Sequence, residues 1–271
     1  MKTGTMNGPR RLGALTVVLG LLCAQAVQAA PYVILRNGKR VVGTRIRVRS
    51  NGNVVLTTGA GSRTFTAAQV RQAVSDPPSG FDVLRRQVEK GDFDAAIPKL
   101  VTIAKDYRML EWDNQARRLL VIAYMGKKQY RKAAETCEAL IKSVPGDWKP
   151  LPEIKASYRE ALLHSKQYSK LTPMLDETIA KGDRTEAAFA QIMRGDIYVG
   201  MKDLDHAVLD YLRTVLLFEQ VAEAQPEALF KAAECLEKMR DNRAKDLYKR
   251  IVSDYSESEY GAKAKAKLSQ F

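Results

Sequence analysis

Five segments of this chain align without gaps: GDFDAAIPKL (91–100), KQYRKAAETC (128–137), KQYSKLTPML (166–175), KDLDHAVLDY (202–211) and RDNRAKDLYK (240–249). Their third residues, Phe93, Tyr130, Tyr168, Leu204 and Asn242, are separated by 37, 38, 36 and 38 positions. A near-constant period of this length, with two helices per unit, constrains the fold more than any other feature. It is the signature of a stack in which each helix pair buries its apolar side only against its neighbours. The spacing therefore predicts a mainly α chain, an α-solenoid of about five helix hairpins over residues 81–271.

Within the units the spacing becomes more specific. Gly195, Tyr198, Ala207 and Tyr211 reproduce the pattern G-x2-Y-x8-A-x3-[FY]. Small residues suit the place where two helices of a hairpin approach closely, and the aromatics fill the gap beside them. The second unit keeps Tyr124, Ala133 and Pro145, with Val121 at the small position and Cys137 where an aromatic is usual. The first keeps Gly91, Phe93 and Ala96, and the fifth Ala232, Ala244 and Tyr248. In the third, Leu171 replaces a small residue, which predicts a splayed helix pair. Residues 81–271 thus resemble the tetratricopeptide-repeat family, with units slightly longer than that family's usual length.

The ending IVSDYSESEYGAKAKAKL (251–268) adds a further likeness. Tyr255, Ser258, Tyr260, Ala264 and Leu268 match the close of repeats in periplasmic members of the family, while Ser256 stands where those have proline. The members in question are of the barrel-assembly lipoprotein and Tol–Pal coordinator type. Ser256 or Ser258 is expected to cap the last helix, whose lysines suit the polar outer face that a terminal repeat needs.

Ahead of the array, residues 30–74 have strand chemistry. Tyr32-Val33-Ile34-Leu35 precedes Asn37-Gly38, an alternating run from Lys39 to Arg49 precedes Asn51-Gly52, and Asn53 to Thr58 and Arg63 to Thr66 follow. Asn-Gly between such runs predicts type I′ hairpin turns. The expectation is a four- or five-strand antiparallel meander resembling a small SH3-like barrel. Ser75 to Gly80, with two prolines, reads as a linker.

The stretch GTRIRVRS (43–50) places Arg45, Arg47 and Arg49 on one face of a strand, with Ile46 and Val48 on the other. The net charge of +13 is concentrated here: residues 31–80 carry +7, against +3 for 1–30 and +3 for 81–271. Three readings of the arginine row stand. Phosphate neutralisation would suit nucleic acid, but interleaved aromatics for base stacking are missing. An anionic envelope component, such as phospholipid, lipopolysaccharide or an acidic wall polymer, fits both charge and export. A charged sheet face also protects against edge pairing and aggregation.

Export is read from residues 1–29. Lys2, Arg10 and Arg11 precede an apolar run from Leu12 to Leu22, and Val27-Gln28-Ala29 forms a cleavage site, which together make a secretory signal peptide. The run is shorter than a membrane span of about 20 residues, so no integral span is expected after cleavage. Leu22 before Cys23 argues against a lipoprotein anchor. The expected location is periplasmic or secreted. With Cys23 removed, Cys137 and Cys235 remain, a number too small for a disulfide framework; buried apolar packing is the preferred reading and pairing the alternative.

No catalytic or metal-binding constellation is legible, and no cofactor is expected. His164 and His206 are the only histidines, and GAGS (59–62) lacks the helix and lysine of a phosphate loop and reads as a turn. The family resemblance implies a concave groove built from the first helix of each hairpin. It places Arg118, Ile122, Met125, Glu160, His164 and Asp196 along that groove, a mixture suited to a protein or peptide rather than one polyanion. The expected function is a non-enzymatic interaction scaffold or assembly factor of the cell envelope. The alternatives are an accessory subunit or cryptic exported enzyme, or an anionic-polymer binder acting through the basic sheet.

Overall fold

The computed structural model describes residues 30–49, 51–143 and 152–271. The expected signal peptide with Cys23, and Pro145 of the second unit, lie outside the described residues.

The N-terminal segment forms β1 (Tyr32–Leu35), β2 (Arg40–Val42), β3 (Arg45–Val48), β4 (Val54–Thr58), β5 (Gly61–Phe65) and β6 (Val70–Val74). They make two three-stranded antiparallel sheets, in the orders β2-β1-β6 and β3-β4-β5. Six strands exceed the four or five expected, because the run from Lys39 to Arg49 is two strands and β6 carries no strong local signal. Gly43 divides that run. A Cβ there would lie 2.3 Å from the Thr57 carbonyl oxygen, so only glycine lets the chain pass so close as it moves between sheets. β6 returns to pair with β1 from Tyr32↔Val74 onward, which joins the two ends of the segment.

The Asn-Gly turns form, but not as type I′. Only Gly38 and Gly52 take positive φ, while Asn37 and Asn51 do not. Gly38 N–H donates to the Leu35 carbonyl and Leu35 N–H to the Lys39 carbonyl, each at 2.9 Å. That is the type I turn followed by a left-handed glycine of a longer hairpin loop.

The array follows as hairpins. The first helices are α1 (Phe81–Glu89), α3 (Trp112–Gly126), α5 (Pro152–His164), α7 (Arg184–Gly200) and α9 (Gln225–Lys238). Their partners are α2 (Phe93–Asp106), α4 (Tyr130–Ser143), α6 (Tyr168–Lys181), α8 (Leu204–Leu217) and α10 (Arg243–Asp254), and α11 (Glu259–Leu268) closes the stack. Ser258 is the cap that forms, accepting from Gly261 N–H at 3.1 Å.

One backbone device makes all five hairpin turns. Gly91, Lys128, Lys166, Lys202 and Arg240 occupy equivalent positions and all have φ between 56° and 82°. In the second turn Lys128 N–H bonds to the Met125 carbonyl and Gln129 N–H to the Tyr124 carbonyl. The same pattern recurs at Lys166 and Gln167, Lys202 and Asp203, and Arg240 and Asp241. A left-handed residue just past each first helix satisfies its last carbonyls and reverses the chain.

Packing explains the small residues. A Cβ on Gly195 would meet Tyr211 Cε1 at 2.4 Å, so the fully buried Tyr211 ring lies flat on the α7 backbone. Twelve residues separate Gly195 from Ala207; the same spacing back from Leu171 falls on Arg159. A long charged side chain therefore occupies the closest approach of the third hairpin. Its Nη2 reaches Thr178 Oγ1 on α6 at 2.8 Å, while its Nε is buried without a partner among the described residues. The α5–α6 pair is the most sparsely packed of the hairpins, as the splayed reading expects.

Two apolar cores fill the array, one under α1 to α6 and one under α8 to α11. They meet at α7, which sends Ala190 and Ile197 to the first and Ala187, Ala188 and Ile192 to the second. The β segment seats on the α2–α3 loop. Leu110 completes its core, Trp112 Nε1 donates to the Ser75 carbonyl at 2.9 Å, and the Trp112 ring meets Phe81 edge-on.

Candidate functional site

The first helices make one face of the array. α1 with α3, α3 with α5, α5 with α7 and α9 with α11 approach closely, whereas no two successive second helices do so among the described residues. The first helices therefore share the more closely packed side of the array.

Register puts the expected groove residues on that side. Ile122, Glu160 and Asp196 hold the same place in their hairpins, one residue beyond Val121, Arg159 and Gly195. On α3, Ile122 is 41% exposed, with Arg118 half-buried one turn before it and Met125 half-buried against the first core. On α5, Glu160 and His164 are exposed one turn apart, with His164 Nε2 4.0 Å from Glu160 Oε1. The His164 ring stacks on Tyr130 of the preceding hairpin at 4.6 Å between centroids, which fixes its direction.

Asp196 on α7 differs from these because both its oxygens are engaged. Tyr211 Oη donates to Oδ1 at 2.7 Å, and Lys231 Nζ on α9 donates to Oδ2 at 2.8 Å. Lys231 Nζ also meets Glu227 Oε1 at 2.8 Å. Burial opposes the charge on Lys231, but the Asp196 and Glu227 carboxylates outweigh it and hold its pKa above the ordinary lysine value. Burial and then the charge of Asp196 push the Tyr211 phenol upward, so it stays a donor.

Two further features escaped the sequence reading. Phe189 is 38% exposed on α7, seven residues before Asp196 and so on the same helix face; that spacing was a usable signal. Arg194 is the other. It donates through Nε and Nη2 to the buried Asp210 on α8 and through Nη1 to Asp176 on α6, bracing three helices beneath the face. Nothing in a single sequence pairs residues 16 and 18 positions away on different helices.

Among the described residues no group of three His, Cys, Asp or Glu is placed to hold a metal. Cys137 and Cys235 are free and buried, and burial raises the Cys137 thiol to about 12. His206 is exposed, bonded through Nδ1 to Asp203 and stacked on Tyr198. In the β segment, Arg45 and Arg47 point outward while Ile46 and Val48 turn inward, and Arg49 lies exposed just past the strand.

Residues 227–258, covering nearly all of α9 and α10, match the tetratricopeptide repeat family model. That one hairpin is similar to a tetratricopeptide repeat. The other four hairpins share its turn and its period, so the array is a solenoid of tetratricopeptide type, the architecture expected. No curated protein matches the chain. Among solved structures it is similar to MamA, residues 41 to the end, from Desulfovibrio magneticus RS-1. The identity is 16% and the TM-score 0.49, over 66% of this chain and 94% of that one.

Proposed function

We propose that this chain is a scaffold of the bacterial cell envelope whose first-helix face holds a segment of a partner protein. One observation carries the reading. Ile122 and Phe189 are exposed apolar side chains on the first-helix face, set among the polar Arg118, Glu160, His164 and Asp196, the composition of an anchor-and-rim interface. The face offers contact along several helices rather than a closed cavity, which suits an extended or helical peptide and action by binding rather than catalysis. The basic start and apolar run of residues 1–22, with Val27-Gln28-Ala29, support export, and the Tyr255-to-Leu268 ending supports a place beside the periplasmic barrel-assembly and Tol–Pal type.

The test is retention of the partner after crosslinking in intact cells. The full chain with Ile122→Glu and Phe189→Glu should lose the proteins that co-purify with the wild type while its thermal unfolding is unchanged. Equal recovery by both chains contradicts the proposal.

A further inference from the structure

The charges of the helical array and of the β segment are managed in opposite ways. Every ion pair among the described residues lies between Asp82 and Lys267. Residues 31–80 form none with the described residues, although they hold eight cations against Asp76 alone. The kind of cation differs too. That segment has seven arginines to one lysine, whereas residues 81–271 have thirteen arginines to twenty lysines. Protection from aggregation needs only charge, which lysine supplies; the guanidinium adds a planar fork that grips an oxoanion through two hydrogen bonds.

Some of these arginines serve the segment itself. Arg36 Nε donates to the Ala68 carbonyl at 2.8 Å, and Arg40 lies over the Tyr32 ring at 3.9 Å. Among the described residues no side-chain hydrogen bond, ion pair or ring contact engages Arg45, Arg47 or Arg49 in this way. The ladder defines what stands beside them: Arg45 faces Thr57, which faces Ser62, and Arg47 faces Val55, which faces Thr64. Thr57 and Ser62 lie with their hydroxyls 3.3 Å apart at the surface. The outer face of the β3-β4-β5 sheet thus sets guanidinium and hydroxyl groups around the buried Val55, with no carboxylate among its ladder partners. Successive arginines stand about 7 Å apart along the strand.

We propose that this sheet face docks on the anionic phospholipid headgroups of a bilayer. Charge complementarity requires an anionic occupant, and arginine with hydroxyl groups suits phosphate oxygens. The platform is broad, three strands wide, where the DNA major groove admits a two-stranded ribbon, and it carries no aromatic ring on which a base would stack. The apolar run Leu12–Leu22 lies nine residues ahead of β1, so a bilayer that received this run would stand close to the β segment. The proposal is independent of what the first-helix face binds.

Sedimentation with vesicles tests it, using the chain from Ala30 onward so that the Leu12–Leu22 run contributes nothing. Vesicles of phosphatidylcholine with about a third phosphatidylglycerol should carry the protein down at low salt, and vesicles of phosphatidylcholine alone should not. Replacing Arg45, Arg47 and Arg49 together by serine should weaken that binding roughly 100-fold. Replacing all three by lysine should weaken it only a few-fold, and unchanged thermal unfolding of both variants shows that the fold is kept. Absence of wild-type binding to the anionic vesicles overturns the proposal, as does equal binding by the serine variant. Tight binding to DNA without vesicle binding overturns it in favour of nucleic acid.

Discussion

Lys231 on α9 reaches back to Asp196 on α7, its Nζ 2.8 Å from Oδ2, and ties the last two hairpins together across the face where a partner would lie. Both groups are about three-quarters buried, at 25% and 24% exposure, so each depends on the other. Lys231→Met and Asp196→Asn should each cost about 1–3 kcal/mol in urea unfolding, because each strands a partly buried polar group. The double variant should cost less than the two singles combined. Strict additivity would show that the pair does not couple the hairpins.

Acid should loosen the closing helix. Glu237 on α9 accepts from Tyr248 Oη on α10 at 2.7 Å and from Lys267 Nζ on α11 at 2.9 Å. Burial alone would raise its pKa, but the hydrogen bonds from Lys267 and Tyr248 prevail and hold it below the usual carboxylate range. A carboxyl depressed in the folded state contributes stability that is present above the unfolded value of about 4.3 and lost as pH falls through the folded one. The stability difference between wild type and Glu237→Gln should therefore be largest near neutral pH and shrink below about pH 4. A difference that stays constant with pH contradicts this.

The left-handed turns make a prediction of unusual sign. Lys128, Lys166, Lys202 and Arg240 sit at φ of 56° to 64°, where a side chain is strained and glycine is not. Changing any one of them to glycine should raise stability by about 0.5–1 kcal/mol, and the effects should add because the sites lie in separate hairpins. Gly91→Ala, at the same place in the first turn, should lower it by a similar amount. Unchanged stability in the glycine variants would mean that cations at helix C-termini recover the strain through the helix dipole.

Much of this architecture was legible because it is local and repeated. The aligned segments that begin at 91, 128, 166, 202 and 240 start on the five left-handed residues, so the period read from side chains is the period of the backbone turns. Gly195 and Tyr211 were legible for the same reason, since their spacing is internal to one hairpin. What escaped depends on pairing between distant elements. β6 forms only because Val74 returns to Tyr32, and the Arg194 and Lys231 contacts join different hairpins. In the third hairpin the sequence pattern singles out Leu171, which packs fully buried; Arg159, twelve residues earlier, is the residue out of place.

That substitution has a dynamic consequence. Backbone amides of α5 and α6 should exchange with deuterium sooner than those of α7 and α8, where Gly195 and Ala207 allow close packing. Equal protection in the two hairpins would mean that Arg159 is accommodated without loss of packing.

The central claim is that a partner lies along the first helices. A photo-crosslinking residue placed in the full chain at Ile122, at Phe189 or at Leu216 tests it in living cells. Leu216 is the control, apolar and 73% exposed but on the second helix α8. The same partner should be captured from Ile122 and from Phe189 and not from Leu216. Capture from Leu216 alone would contradict the account.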